Sequence, residues 1–170
     1  MCIKGHHDRQ AARLWSLAAL AVISLSTQVA PGLADGTVNT GYFDGVAIMG
    51  YDPVAYFTDN RAVKGSEQYS YDWLGTPWHF ASRKHMEMFQ SEPVAYAPQY
   101  GGYCAAEVAG SGSVTVNIDP EAFKIIDGKL YFIYDKVHSD DFAAHATAVV
   151  PKAEANWPKK RAELVLDNYH

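Results

Sequence analysis

The chain has 170 residues, of which 48% are hydrophobic and 19% are charged, and its formal net charge is −5 at pH 7. This acidic balance argues against a nucleic-acid partner, because a negative surface repels phosphate backbones. The sequence contains no internal repeat or low-complexity tract, and the length beyond residue 34 fits one domain with its own core.

Residues 1–34 have the pattern of a secretory signal peptide. A basic leader precedes a short apolar core at 14–25, and the small residues Gly32 and Ala34 follow that core. The core is shorter than the roughly 20 apolar residues that a membrane span needs. We therefore predict cleavage after Ala34, a periplasmic location and no membrane span in the mature chain. The alternative is an uncleaved N-terminal anchor.

Cleavage would leave Cys104 as the only cysteine, since Cys2 lies within the predicted signal peptide. A lone cysteine cannot form an intrachain disulfide, so in an oxidising compartment it is buried, bound to a metal or paired with a partner thiol. Burial is the simplest expectation. The same cleavage would reduce 14 basic and 19 acidic residues to 11 and 18, which gives a net charge of −7.

The predicted domain spans residues 45–170 and follows a predicted flexible leader at 35–44. Asp52 before Pro53 is typical of an N-cap followed by the first position of a helix. Ser82 is expected to cap a helix in the same way. Alternating aromatic residues and turn residues predict a pair of strands between these caps. The predicted strands lie at 69–73 and 78–80 around a turn at 75–77, and the capped helix covers 83–90.

The clearest local signal is a β-hairpin. Asp127-Gly128, the dipeptide favoured in a type I′ turn, separates predicted strands at 123–126 and 129–134. Helical patterns follow at 139–148 and 151–167, and Pro158 either kinks the last helix or marks a later start. These elements predict an α+β fold in which short helices pack on a small antiparallel sheet.

Several motifs in this order resemble the YHS-domain family in its exported form. The resemblance extends from about residue 45 to residue 160, and the number and order of the motifs make it specific. The matching segments are Gly-Tyr-Asp-Pro-Val-Ala-Tyr-Phe at 50–57, Phe-Ala-Ser at 80–82, Tyr-Gly-Gly-Tyr-Cys-Ala at 100–105, Asp-Gly-Lys-Leu-Tyr at 127–131 and Asn-Trp-Pro at 156–158.

This resemblance implies a compact α+β domain related to TRASH-type domains, which are generally thought to bind metal through cysteines. The chain departs from the cysteine pattern at three positions. Ala55 stands where the family has a cysteine after Asp-Pro, and Ala81 and His85 replace the next pair. The usual thiolate site therefore cannot be transferred to this chain.

A different set of ligands remains. His85 and Cys104 are the primary candidates, and Asp52 and Met88 are weaker ones. Imidazole, thiolate and thioether donors suit copper, particularly Cu(I). We therefore expect a periplasmic metal-binding module, with copper as the leading candidate and a role in metal handling. No catalytic motif indicates an enzyme.

Each candidate also has a structural explanation. Asp52 can be only an N-cap, His85 a solvated side chain, and Met88 and Cys104 packing residues. A nucleophilic Cys104 with His85 as its base and Asp52 orienting the histidine is a further alternative. Tyrosines of the matched motifs could line a ligand pocket, although a tyrosine-rich core is the preferred interpretation. The alternative function is a metal-free module that has lost the family's cysteine site. Such a module would bind a periplasmic protein partner or a small ligand, or would have a structural role.

Overall fold

The structure, a computed structural model, describes Met1, residues 37–42 and residues 45–167, with side chains as far as residue 164. The predicted signal peptide lies outside the described residues apart from Met1, and its cleavage stays a prediction. Within the described part of the chain, no helix combines the length and the apolar character that a membrane span requires.

The described chain is a mixture of helices and two antiparallel hairpins, which confirms the predicted α+β class. Two further turns at Ala47–Gly50 and Gln99–Gly102 contain left-handed residues. The elements in chain order are α1 (Ala55–Thr58), β1 (Ser66–Trp73), β2 (Thr76–Phe80), α2 (Arg83–Ser91), α3 (Pro93–Tyr96), α4 (Ala105–Ala109), β3 (Phe123–Ile126), β4 (Lys129–Phe132), α5 (Lys136–Ala144) and α6 (Ala146–Asp167).

The first hairpin joins β1 to β2 through Leu74 and Gly75, whose φ angles are 53° and 71°. Two successive positive φ angles are the mark of a type I′ turn. The turn predicted at 75–77 is therefore wrong by one or two residues, because Thr76 and Pro77 already belong to β2. Proline is tolerated in this two-stranded sheet, whose strands each have a free edge.

The second hairpin forms where the sequence predicts it. Asp127 and Gly128 have φ angles of 50° and 72°, and Ile126 pairs with Lys129 across the turn. The only difference is the end of β4, which stops at Phe132 rather than at residue 134. The single sheet expected from the sequence is instead two separate two-stranded sheets.

The helices differ from their predicted boundaries mainly near the C-terminal end. The predicted Ser82 cap of α2 is confirmed, since its hydroxyl accepts a hydrogen bond from the His85 amide at 3.1 Å. An Asp135 cap, missed in the sequence, starts α5 at Lys136 instead of residue 139. The last helix begins at Ala146 and is continuous through both Pro151 and Pro158.

Two hydrophobic clusters form the core. The first lies under the β1–β2 hairpin and α2, where Trp78, Phe80 and Phe89 are fully buried. The second lies between α4, the β3–β4 hairpin and α6. Its members include Tyr100, Tyr103, Cys104, Tyr131 and Trp157. The tyrosine-rich core expected from the sequence is therefore confirmed at Tyr56, Tyr100 and Tyr103, which are at most 3% exposed.

Residues 37–39 are part of the folded domain, which corrects the flexible leader predicted for 35–44. Asn39 is 1% exposed and its amide donates to the Gly101 carbonyl at 2.9 Å. Its side-chain Nδ2 donates to the carbonyls of Gly102 and Val116, at 3.2 and 3.1 Å. Periodicity did not reveal this segment, because it is a short extended strap with no repeating apolar pattern.

The strap requires glycine at position 101. A Cβ atom there would lie 2.0 Å from the Thr37 carbonyl oxygen, and Gly101 has a φ of +62°. We expect Gly101→Ala to lower the free energy of unfolding by about 2–4 kcal/mol through backbone strain and overlap. Gly112→Ala is the matched control, since nothing lies within 4 Å of its would-be Cβ. Urea denaturation measures both, and equal stability of the two variants would contradict the docked strap.

Candidate functional site

The predicted site residue Asp52 lies at the centre of a hydrogen-bonded junction. Its carboxylate is completely buried. Oδ1 accepts from the Val54 amide at 2.8 Å and from the Ala55 amide at 3.4 Å, so it holds the turn that leads into α1. The N-cap position is Val54 and α1 begins at Ala55, so the prediction of Asp52 as the N-cap with Pro53 at the first helical position is wrong by two residues. Oδ2 accepts from the Ala81 amide at 2.8 Å, at the point where β2 ends. One carboxylate thereby connects two segments about 29 residues apart.

His85 is the second group on this carboxylate. Its Nδ1 lies 2.6 Å from Asp52 Oδ2, and its side chain is 14% exposed. Since an ionised carboxylate only accepts hydrogen bonds, Nδ1 carries a hydrogen and donates it to Asp52. In a neutral ring this leaves Nε2 as the atom with a free lone pair. The Ser82 cap fixes the first turn of α2 and hence the position of the ring.

The other described contact of the imidazole is weak. Nε2 lies 3.5 Å from Thr58 Oγ1 at the end of α1. That hydroxyl also lies 3.2 Å from the Val54 carbonyl and 2.9 Å from the Asp59 carboxylate, and both of these groups can only accept its single hydrogen. Thr58 is therefore a poor partner for Nε2, and the imidazole nitrogen keeps its capacity to bind an exogenous group.

Cys104, the other predicted primary ligand, lies in the second cluster. It occupies the N-cap position of α4, is 1% exposed and bridges Phe132 of β4. Burial raises the pKa of its thiol, which keeps the sulfur protonated at neutral pH. A metal ligand must be the thiolate, so this environment favours the packing role. The nucleophile–base pairing considered from the sequence also requires a contact with His85 that no described hydrogen bond provides.

Met88, the weaker predicted ligand, is three residues after His85 on α2. Residues at this spacing face the same side of a helix, with Cβ atoms about 5–6 Å apart. Its side chain is half-buried and packs against the first cluster. Met88 therefore shares a face of α2 with His85, the residue that contacts Asp52.

No group of three or more His, Cys, Asp or Glu side chains is placed to hold a metal ion in the described ranges 37–42 and 45–167. Since Asp52 and His85 are already in contact, Cys104 does not complete a trio with them. The predicted set of His85, Cys104, Asp52 and Met88 is thus not assembled as one site, because Cys104 belongs to a different packing cluster.

Comparison of the chain with protein-family models, with curated proteins and with solved structures finds no significant match. The YHS resemblance therefore rests on the motifs of the sequence alone and stays a prediction. Two of those motifs acquire a physical meaning in the structure, since Asp52 and Ala81 hold the junction together.

Sequence reasoning identified Asp52 and His85 but missed the groups that make them a unit. The amide of Ala81 is a backbone donor, so its residue type gave no signal. Thr58 is the last residue of a helix too short to show periodicity. The available signal was that His85 replaces a family cysteine three residues after the Ser82 cap. The cap fixes the first turn of the helix, and this turn carries the imidazole ring.

The junction predicts an unequal effect of removing two chemically similar aspartates. Asp52→Ala leaves buried amides and the His85 ring without an acceptor, and we expect a loss of about 3–5 kcal/mol in the free energy of unfolding. Asp135 is the matched control, because its carboxylate also accepts an amide hydrogen bond near the start of a helix and contacts a histidine, His138, at 2.8 Å. Its side chain is 37% exposed, so Asp135→Ala should cost much less. Comparable losses in denaturant titrations would contradict the central role of Asp52.

The buried thiol predicts a pH dependence that differs between wild type and Cys104→Ala. The raised pKa means that the unfolded chain releases its thiol proton first as pH increases. The thiol's contribution to stability is complete below about pH 8.5, the ordinary thiol pKa, and is lost above it. The stability difference between the two proteins should shift in favour of the variant from pH 8.5 to 10. A pH-independent difference, or rapid labelling of Cys104 in the native protein, would count against burial.

Proposed function

We propose that this chain is a YHS-like binding module whose working group is the His85 imidazole, and that the ligand is a metal ion, with copper as the leading candidate. The observation that carries this proposal is the contact of 2.6 Å between Asp52 Oδ2 and His85 Nδ1. In metal sites a histidine ligand commonly donates its second ring nitrogen to a carboxylate, which fixes its orientation and increases the basicity of the ligating nitrogen.

Asp52 has a supporting role in this proposal rather than a ligating one. Its two oxygens accept hydrogen bonds from Val54, Ala81 and His85, with a longer contact to Ala55. A carboxylate engaged in this way is poorly available to a metal. His85 Nε2 would be the first ligand, and the thioether of Met88 on the same helix face would be the second.

Imidazole and thioether donors favour Cu(I), for which soft ligands are preferred. Two protein ligands would leave part of the coordination sphere to another molecule. Such a site suits a protein that receives and passes on copper as cargo, and the exported form expected from the sequence would place it where copper is handled. Cys104 has no part in this site, since its thiol is buried in the second cluster.

A second candidate is a metal-free module that binds a protein or small ligand. It is favoured by the complete engagement of Asp52 within the fold, which accounts for this carboxylate and for the position of His85 without any metal. In this case His85 is a structural partner of Asp52 that ties α2 to α1, and the Nε2 atom has no ligand.

The two candidates differ in a Cu(I) titration of the purified protein against a Cu(I)-specific chromophoric chelator. The first predicts one equivalent of bound copper that His85→Ala abolishes and that Met88→Leu weakens about tenfold or more. His138→Ala is the matched control, because His138 also contacts an aspartate through Nδ1 but is exposed. Its copper binding should equal that of wild type.

Cys104→Ala separates this proposal from the thiolate site. Unchanged copper binding in Cys104→Ala supports the His85 site, whereas loss of copper in that variant would show that the sulfur is a ligand. Folding of each variant is checked by circular dichroism. The metal-free module becomes the function to pursue if wild type takes no Cu(I) from the chelator and also takes no Cu(II) or Zn(II) from weaker chelators.

A further inference from the structure

A cleft formed by residues of the C-terminal half of the chain is a second candidate site. It has a volume of about 660 Å³ and lies between the loop at 110–113 and the C-terminal half of α6. The loop has the sequence Gly-Ser-Gly-Ser. Asn156 anchors one side, because its side-chain amide donates to the carbonyls of Val108 and Ala109 at 3.1 Å each.

The unusual residue of this cleft is Lys160. It is 7% exposed, whereas every other lysine and arginine that the structure describes with its side chain is half-buried or exposed. Its ammonium donates to the carbonyl of Gly112. Within the described residues it forms no ion pair, so the buried charge has one neutral acceptor and no counter-ion. Burying an ammonium is costly unless it is paired and hydrogen-bonded.

The loop adds further donors. The backbone amides of Ser111, Gly112 and Ser113 donate no hydrogen bond to any described residue, and all three residues are exposed. The two serine hydroxyls are likewise without a partner in the described chain. Backbone amides that have no partner within the protein can donate hydrogen bonds to a bound anion.

The charge of the cleft has the opposite sign to that of the whole chain. Lys159 and Lys160 line it together with one carboxylate, Glu163, which lies 3.8 Å from the Lys159 ammonium. One positive charge is therefore left over in a chain of formal net charge −5. That excess belongs to Lys160, the residue that has no partner of opposite sign.

We propose that this cleft binds a small tetrahedral oxyanion of the phosphate or sulfate class. Lys160 supplies the counter-charge, and the amides and hydroxyls of residues 111–113 supply neutral donors around it. The proposal is independent of copper binding, because His85 lies on α2, whereas the cleft is formed by the loop at 110–113 and by α6.

Inorganic phosphate is the probe, added to the isotopically labelled wild-type protein at constant pH and ionic strength while amide chemical shifts are followed. We expect saturable shifts confined to residues 110–113 and the neighbouring turn of α6. Shifts that increase without saturation, or that are spread over other exposed lysines, would overturn the proposal. Succinate is the second probe, and saturation by succinate but not by phosphate would overturn the assignment to a tetrahedral oxyanion.

Lys160→Met tests the counter-charge. Because it replaces an unpaired buried charge by an apolar side chain of similar length, the variant is expected to fold. Its phosphate affinity should fall about tenfold or more through the loss of a charge-assisted hydrogen bond. Lys152→Met is the control, since Lys152 is exposed on the same helix and does not line the cleft. Equal phosphate affinities of the two variants would contradict the role of Lys160. If Lys160→Met does not fold, the wild-type titration still shows whether phosphate binds in this cleft.

Discussion

The carboxylate of Asp52 is the constraint on which the first half of the structure depends. It is fully buried, and buried carboxylates are tolerated only where donors surround them. The amides of Val54 and Ala81 and the ring of His85 meet this need from three segments. The start of α1, the end of β2 and the first turn of α2 must therefore come together, and the position of the imidazole follows from the same requirement.

The second hydrophobic cluster is built mainly of aromatic and small apolar side chains. Its core is aromatic, with the rings of Tyr100 and Trp157 5.7 Å apart and those of Tyr131 and Phe142 5.6 Å apart. Cys104 packs within this cluster as a small apolar residue. The two halves thus assign different roles to residues that looked equivalent in the sequence, since the histidine is held at a polar junction and the thiol is withdrawn into apolar packing.

Local chemistry accounts for what the sequence could predict. The Asp127-Gly128 turn and the Ser82 cap depend on neighbouring residues only, and both form as expected. The site needed long-range information. The partner of Asp52 at Ala81 is a backbone amide, and the separation of Cys104 from His85 is decided by packing across the whole domain. The docking of Asn39 against Gly101 and Gly102 was likewise inaccessible, because a short extended segment carries no periodicity and its contacts lie more than 60 residues away.

Nitrogen NMR of the His85 imidazole shows directly which of the two ring nitrogens is free to bind a ligand. With ¹⁵N-labelled histidine, we predict that Nδ1 carries a hydrogen, and that the Nε2 resonance shifts more than the Nδ1 resonance when Cu(I) is added. Asp52→Asn should disturb this tautomer, whereas Asp135→Asn should leave it unchanged. A ring protonated at Nε2 in the native protein, or copper bound with no change at His85, would contradict the account.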